Sequence, residues 1–235
     1  MKRIFSLLTI VFLTSQAMAQ NKLDEIITKV LDAQGGKEKL LKINSVSMKG
    51  FIEFSGQKIP LNYYAVDNKA QRIEFTFSGL TGYFIVTKDS GFNFNPFQGQ
   101  SAAENMTAED VKLNQNELDL QGVLVNYKNK GYTVELLETE DVDGVEAIQL
   151  KVNILPNKTQ YYFVDPSNYY VIRTKTISVS NGQQNRSTTD YYNFKKTAEG
   201  VLFPFISESS NFGNITYETI ELNKTLDEKL FKPTR

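Results

Sequence analysis

Few side chains in this sequence could act as catalytic groups or metal ligands. The chain contains no histidine and no cysteine. It therefore has neither the usual general base, nor the usual partner of a serine nucleophile, nor the commonest zinc ligands. An enzyme built from these residues would depend on carboxylates, lysines, tyrosines or an oxygen-ligated metal. We therefore expect a protein that is not an enzyme, with no catalytic residue, no metal site and no cofactor.

Acidic residues are densest in one segment near the middle of the chain. They are Glu135, Glu138, Glu140, Asp141 and Asp143. A pair of carboxylates can hydrolyse glycosides, and oxygen ligands suit calcium. No calcium-loop spacing follows, however, and the Asp-Val-Asp-Gly sequence at 141–144 is typical of a hairpin turn. We interpret the segment as a turn with solvated charges.

Three pairs of adjacent tyrosines, at 161–162, 169–170 and 191–192, are the remaining candidates for a binding site. In a strand, each pair places one ring on either side of the sheet. The preference of tyrosine for strands accounts for the pairs, and carbohydrate stacking is the alternative.

The spacing of apolar residues, which indicates the secondary structure, changes along the chain. Residues 22–34 predict an amphipathic helix, because Leu23, Ile26, Ile27, Val30 and Leu31 form one apolar face. The glycine pair that follows ends it, and 37–43 resembles a second short helix. From residue 45 apolar residues alternate with polar ones, which predicts half-buried antiparallel strands.

The strands fall into two groups separated by a helical segment. Residues 107–127 predict one or two helices, with Val111, Leu118, Leu120 and Leu124 at roughly helical spacing. About eleven strands at 8–12-residue spacing indicate a barrel or a sandwich. The helical segment interrupts the sheet, so it must pack on one face or close an open end.

The N-terminus has the features of an export signal. Lys2 and Arg3 precede an apolar stretch that is too short to span a bilayer, and Ala17-Met-Ala19 is a cleavage site. We expect cleavage after Ala19 and a mature single domain at 20–235 that does not span the membrane. With 26 basic and 27 acidic residues, the chain has no general attraction to nucleic acid.

Several local sequences, in their order along the chain, are similar to one known superfamily. They are Asn95-Pro-Phe97 with Gln98 and Gln100, Tyr161-Tyr-Phe-Val-Asp-Pro166 before Val171-Ile-Arg173, Asp190-Tyr-Tyr-Asn-Phe-Lys195 before Gly200-Val-Leu-Phe-Pro204, and Asp227-Glu-Lys-Leu-Phe231. Together they resemble the LolA/LolB-like periplasmic lipoprotein carriers, and in particular the outer-membrane lipoprotein-sorting-like proteins of Bacteroidetes type. The resemblance covers the whole mature chain.

This resemblance implies a mainly β fold, an open antiparallel half-barrel with an N-terminal amphipathic helix and a helical lid over its concave face. The apolar hollow beneath the lid would hold acyl chains. Candidates to line the hollow are Phe54, Leu61, Tyr63, Phe75, Phe77, Phe84, Phe92 and Phe94. Alternation alone also allows these side chains to be ordinary core. Lys69 and Arg72 lie where the carriers tether their lid, although the carriers' Arg-Pro pair and tryptophans are absent.

The function implied is a periplasmic carrier in lipoprotein sorting to the outer membrane. Its partners would be a lipid or an acylated lipoprotein and an envelope donor or acceptor protein, and we expect a monomer. The alternative is a non-catalytic envelope scaffold with the same fold. A large apolar cavity would favour the carrier, and a filled hollow with an exposed aromatic patch would favour the scaffold.

Overall fold

The computed structural model describes residues 20–54, 56–211 and 213–234, and of Phe54 only the backbone. The predicted export signal therefore lies outside the described residues. Helix α1 covers residues 20–33, α2 is Lys37–Leu40 and α3 is Ala108–Asn114. Short 3-10 helices are formed by Pro96–Gln98, Gln115–Leu118 and Glu228–Phe231.

Most of the described chain is strand. The strands, β1 to β14 in order, are Ser45–Phe54, Gln57–Val66, Ala70–Phe77, Leu80–Thr87, Gly91–Phe94, Glu104–Asn105, Thr133–Leu136, Glu140–Val142, Val145–Leu155, Lys158–Val164, Val171–Ser180, Gln183–Lys196, Leu202–Ser209 and Gly213–Leu222.

The strands form one open antiparallel sheet. Its order is β6-β5-β4-β3-β2-β1-β14-β13-β12-β11-β10-β9-β7, and β8 pairs with β9 beside this path. The predicted antiparallel architecture is confirmed. The described residues form fourteen strands, more than the predicted number of about eleven. Two of the differences are that segment 131–140 begins two short strands instead of one, and that Glu104–Asn105 adds a strand at the edge.

The sheet is curved into a half-barrel. Strands β4 and β11 are seven positions apart in the sheet, which in a flat sheet would separate them by roughly 34 Å. Helix α3 nevertheless contacts both strands, although its seven residues span only about 10 Å. The two halves of the sheet must therefore bend toward each other.

Helix α1 packs against the concave face. All five residues of its predicted apolar face are buried, in one cluster with Val46, Leu150, Val152 and Leu222. The cross-strand pairs Val46–Leu222 and Val134–Val152 show that these side chains share one face of the sheet. The predicted amphipathic helix is confirmed, and it fills part of the hollow itself.

The glycine pair that ends α1 is needed for close packing. Gly35 has a φ of 120°, and a Cβ atom added there would come within 2.6 Å of the Gly200 carbonyl oxygen. The neighbouring Gln34 carbonyl accepts a 2.9 Å hydrogen bond from the Leu202 amide. A side chain at Gly35 would push the helix end away from β13.

The predicted helical segment 107–127 is shorter than expected. Helix α3 begins at the Thr107 cap, whose hydroxyl accepts from the Asp110 amide, and a 3-10 turn ends at Leu118. Beyond it the chain runs through turns as far as residue 131. Gly122 and Asn126 have positive φ, which a right-handed helix does not accommodate. We call residues 108–127 the lid segment.

Candidate functional site

Five of the residues predicted to line a hollow face the concave side. Leu61 pairs with Phe75 across β2 and β3, and Tyr63 and Phe84 both lie opposite Ile73. Directly paired residues share a face of the sheet, and Tyr63 packs against the α1 cluster. Phe77 follows Phe75 by two residues in β3 and lies on the same face. The concave face therefore carries Leu61, Tyr63, Phe75, Phe77 and Phe84.

Phe92 and Phe94 lie on the opposite, convex face. They pair with Ile85 and Tyr83, and the Phe94 ring centroid is 5.4 Å from that of Tyr83. The turn before β5 places Gly91 rather than Phe92 on the concave side, and a shift of one residue moves every side chain to the other face. The side chain of Phe54 lies outside the described residues.

An aromatic cluster occupies the β3–β4 part of the concave face. We define it as Phe75, Phe77, Leu80, Phe84 and Phe97. The Phe75 ring lies 5.9 Å from Phe84 and 5.6 Å from Phe97, and the Phe77 ring lies 6.2 Å from Phe97. Phe77, Leu80 and Phe97 are 41%, 50% and 39% exposed. The cluster thus presents contiguous apolar surface to solvent, which marks interaction sites.

Phe97 was not among the predicted lining residues. It follows Pro96, which opens a 3-10 turn between β5 and β6, and this turn brings its ring onto Phe75. A Cβ atom at Gly82 would come within 2.8 Å of the Phe75 ring. The glycine therefore lets Phe75 lie flat across β4, beside Phe97. The Asn-Pro-Phe sequence was the available signal.

Lys158 ties the lid segment to the sheet. This lysine of β10 is buried, and its ammonium donates to the Leu113 carbonyl at 2.9 Å, to Asn116 Oδ1 at 2.7 Å and to Glu117 Oε1 at 2.8 Å. A lysine ammonium has three protons, so this tether uses all of them. Lys158 was not predicted, because a lysine in an alternating strand is indistinguishable from a solvated one.

The other half of the sheet holds the lid segment through the β2–β3 turn. Asp67 accepts a 2.9 Å hydrogen bond from the Leu120 amide and a 3.2 Å bond from the Gln121 side chain. The Asn68 amide donates to the Leu118 carbonyl at 2.8 Å. Of the predicted lid residues, Val111, Leu118 and Leu124 are buried and Leu120 packs against the α1 cluster.

Neither predicted tether residue carries the tether that the structure shows. Lys69 is exposed. Arg72 lies on the convex face, where its guanidinium pairs with Glu74 and donates to the Leu230 carbonyl at 3.0 Å. It also lies 4.1 Å from the centre of the Tyr83 ring. Arg72 therefore fastens the C-terminal segment rather than the lid segment.

A polar chamber lies between the lid segment and strands β10–β12. Its volume is about 240 Å³. It is lined by Leu31 and Gln34 of α1, by Asn116, Glu117, Asp119, Gly122, Val123 and Leu124 of the lid segment, and by Gln160, Tyr162, Thr174 and Tyr191 of the sheet. A shallower groove of about 360 Å³ lies between α1 and residues 124–129. Most of the residues that line the chamber have polar side chains, and none of the predicted phenylalanines is among them.

Four tyrosines face the concave side on different strands, and their hydroxyls are held away from bulk water. Burial raises the pKa of Tyr217 to about 12 and raises the pKa values of Tyr63, Tyr162 and Tyr191 as well. The Tyr191 hydroxyl and the Thr174 hydroxyl lie 3.0 Å apart. Two of the three tyrosine pairs therefore contribute one ring each, Tyr162 and Tyr191, to the concave side.

We expect the protein to lose stability steeply above pH 10. A tyrosine whose pKa is raised on folding ionises first in the unfolded chain. Its contribution is therefore complete below pH 10 and is lost as the pH rises toward 12 for Tyr217. Each such group removes about 1.4 kcal/mol per pH unit. Chemical unfolding followed by circular dichroism from neutral pH to pH 12 measures this loss.

The Tyr217→Phe variant is the control for the alkaline transition. Its free energy of unfolding should fall less steeply above pH 10, because one ionisable hydroxyl is gone. Tyr170, whose ring centroid lies 5.0 Å from that of Phe194, offers a matched Tyr→Phe change away from these four tyrosines. Equal pH dependence in wild type and Tyr217→Phe would contradict the assignment.

The acidic segment 135–143 forms ion pairs and a turn. Glu135 pairs with Lys151, Glu140 with Lys175, and Asp143 with Arg173. Asp143 and Gly144 have positive φ, as a tight hairpin turn between β8 and β9 requires. The predicted turn is confirmed, and among the described residues no group of three acidic, histidine or cysteine side chains could hold a metal ion.

Within the described ranges, the structure has no helix whose length and apolar character would allow it to cross a membrane.

Comparison with known proteins places this geometry in a fold. No known family model and no curated protein matches the sequence. The structure is similar to that of a LolA superfamily protein from Nitrosomonas europaea, with a TM-score of 0.50, 16% identity, and coverage of 86% of this chain and 96% of that one. It is also similar to a proposed outer membrane lipoprotein-sorting protein domain from Vibrio parahaemolyticus, with a TM-score of 0.52, 11% identity, and coverage of 88% and 94%. The chain therefore has the fold of the LolA superfamily.

Proposed function

We propose that this protein is a periplasmic carrier that binds acyl chains of a lipid or a lipoprotein on its concave face. The fold supports the proposal, because the two solved structures compared above are a LolA superfamily protein and a proposed lipoprotein-sorting domain. The export signal predicted at residues 1–19 supports a location in the cell envelope. The aromatic cluster is the observation that carries the proposal, because it offers uncovered apolar surface inside the curve of the sheet.

The energetics of acyl binding fit an aromatic surface of this kind. Burying a chain of about fourteen methylenes gains on the order of 10 kcal/mol of transfer free energy, against association costs of about 4–15 kcal/mol. Partial cover by Phe75, Phe84 and Phe97 gives less than the full gain. We therefore propose a reversible carrier whose cargo is exchanged rather than held permanently.

A non-catalytic envelope scaffold is the second candidate, and one observation favours it. Helix α1 fills part of the hollow with five buried side chains, while Phe77, Leu80 and Phe97 are exposed at the other end. A partner protein could cover that surface instead of an acyl chain. The two functions differ in whether lipid binds to the purified protein.

The first test is native mass spectrometry of the protein purified from its own envelope without detergent. A stoichiometric bound lipid or acylated peptide would support the carrier. A clean apoprotein mass, with no uptake of added lipid, would support the scaffold.

Removal of two exposed rings should impair lipid uptake without unfolding the protein. We expect the Phe77→Ser/Phe97→Ser variant to bind a fluorescent fatty acid about 10–100-fold more weakly, because about 1.5–3 kcal/mol of apolar contact is lost. Leu41→Ser is the matched control, since Leu41 is as exposed as Phe97, at 39%, but lies outside the aromatic cluster. Equal loss in both variants, or none in either, would contradict the role of the aromatic cluster.

A further inference from the structure

The polar chamber beneath the lid segment has a chemistry that acyl binding alone does not explain. It lies on the same concave face as the aromatic cluster, but across the half-barrel at β10–β12. Tyr217 of β14 and Tyr63 of β2 lie between the two along the strand order. An amphiphile with its chain on the aromatic cluster would have its polar end on this side of the hollow.

The main hydrogen-bond donors around the chamber already have partners. Lys158 uses its three protons on the lid segment. The Tyr162 hydroxyl donates to Gln160 Oε1 at 2.6 Å, and the Gln160 amide donates to Thr176 at 3.1 Å. The Asn116 amide donates to Glu117 at 3.3 Å. A phosphate or carboxylate in the chamber would therefore find few free hydrogen-bond donors.

The chamber offers acceptors instead. Asp119 is only 8% exposed at its side chain, and its Oδ1 has no hydrogen-bond partner among the described residues. Its other oxygen pairs with Lys130. Glu117 uses Oε1 for Lys158 and Asn116, while Tyr162 donates its only proton and keeps its oxygen lone pairs. An unpartnered buried carboxylate oxygen is costly unless a donor is supplied.

The electrostatics of the chamber favour a cationic donor over a neutral one. Burial raises the pKa of Asp119, and the Lys130 ammonium and the Gln121 backbone amide oppose this shift only in part. A second positive charge would favour the ionised carboxylate. The rings of Tyr162 and Tyr191 add faces that attract cations.

We infer that the polar chamber binds the primary ammonium group of an amphiphile, through Asp119, Glu117 and the Tyr162 hydroxyl oxygen. This inference rests on the proposed function, since the chain of the same amphiphile would lie on the aromatic cluster. It narrows the cargo from acyl compounds in general to those that carry an amine. Anionic head groups are disfavoured, because the donors they need are occupied.

The test compares three probes with the same twelve-carbon chain, by isothermal titration calorimetry at neutral pH. We expect dodecylammonium to bind about tenfold more tightly than dodecanoate, and about tenfold more tightly than dodecyltrimethylammonium, which has the charge but no N–H donor. Equal affinities would overturn the subsite while leaving acyl binding intact. Failure of all three to bind would overturn the proposed function as well.

Substitution of the two carboxylates assigns the preference to the chamber. In Glu117→Gln/Asp119→Asn the preference for dodecylammonium should fall to about twofold or less, because both amides keep the shape but remove the charge. Glu135→Gln, in an exposed pair with Lys151, is the control and should keep the full preference. A preference that persists in the double variant would overturn the assignment.

Asp119→Asn also weakens the pair with Lys130, so the fold of the variant is checked by circular dichroism. If the double variant does not fold, Glu117→Gln alone provides the test, because glutamine can still accept from Lys158. The mass of the amphiphile that copurifies then distinguishes an amino phospholipid from an acylated peptide with a free amine.

Discussion

Replacement of Lys158 by methionine should lower the free energy of unfolding by about 3 kcal/mol. The methionine keeps the length of the stem but leaves the Leu113 carbonyl, Asn116 and Glu117 without their donor. Hydrogen bonds to a charged group contribute about 1.5–3 kcal/mol each, and a buried polar group left without a partner costs more. Glu117 is 45% exposed, so water recovers part of its loss and the total stays below the sum of three such bonds.

The same substitution should loosen the lid segment before it unfolds the sheet. Hydrogen exchange of the amides at 113–121 should accelerate more than exchange in β10, because this part of the lid segment then keeps its bonds to Asp67, Asn68 and Lys88 but loses those to β10. Lys175→Met is the matched control. Lys175 pairs with Glu140 at a half-exposed site, where such pairs contribute about 1 kcal/mol or less.

Urea denaturation with both variants separates the two sites. A loss in Lys158→Met no larger than in Lys175→Met would mean that the tether does not stabilise the fold. Unchanged exchange at 113–121 would mean that the buried leucines and the bonds to Asp67 and Asn68 hold the lid segment without help from Lys158. Urea denaturation therefore tests how much the tether stabilises the fold, and hydrogen exchange independently tests which residues it holds.

The sequence predicted the elements of the concave face better than the contacts upon them. Alternation placed Leu61, Tyr63, Phe75 and Phe84 on one side correctly, because a period of two fixes the face within a continuous strand. Alternation could not assign Phe92 to a face of the sheet. The turn before β5 shifts the alternation by one residue, and a strand of four residues is too short to reveal the shift. The face of a strand is local information, whereas the phase between strands is set by turn geometry.

The alternation of apolar and polar residues does not predict contacts between segments that are distant in the sequence. Lys158 and its lid partners are separated by more than forty residues, and Arg72 and Leu230 by 158. A charged residue that bonds to distant backbone carbonyls leaves no periodic signal in its own strand. The lid segment shows the converse case. Its leucines have helical spacing, but α3 ends at Asn114, and positive φ at Gly122 and Asn126 keeps the rest of the segment from forming a helix.

Replacement of Arg72 by methionine should lower the free energy of unfolding by about 3–4 kcal/mol and release the C-terminal segment. Arg72 is buried and pairs with Glu74, and its loss leaves that carboxylate in a largely buried place. Removing one partner of a buried pair costs about 3–5 kcal/mol. The Leu230 carbonyl also loses its 3.0 Å donor, and the Tyr83 ring loses the guanidinium above it.

The C-terminal segment and Arg72 should stabilise the fold together. The Tyr83 hydroxyl donates to the Thr234 carbonyl at 2.6 Å and accepts from the Thr234 amide at 2.9 Å, so the segment lies across β3 and β4. Without residues 227–235, Arg72 would be hydrated and Arg72→Met would cost much less. We expect a coupling free energy of about 2 kcal/mol between the substitution and the truncation.

A double-mutant cycle in urea measures this coupling, with four proteins: wild type, Arg72→Met, the truncated chain, and both changes together. Arg186→Met is the control, since Arg186 is exposed on β12 and bonds only to Gln184 among the described side chains. It should cost less than about 0.5 kcal/mol in either background. Additive effects of Arg72→Met and the truncation would show that the guanidinium stabilises β3 by itself, through Glu74 and Tyr83, and that the C-terminal segment packs there without its help.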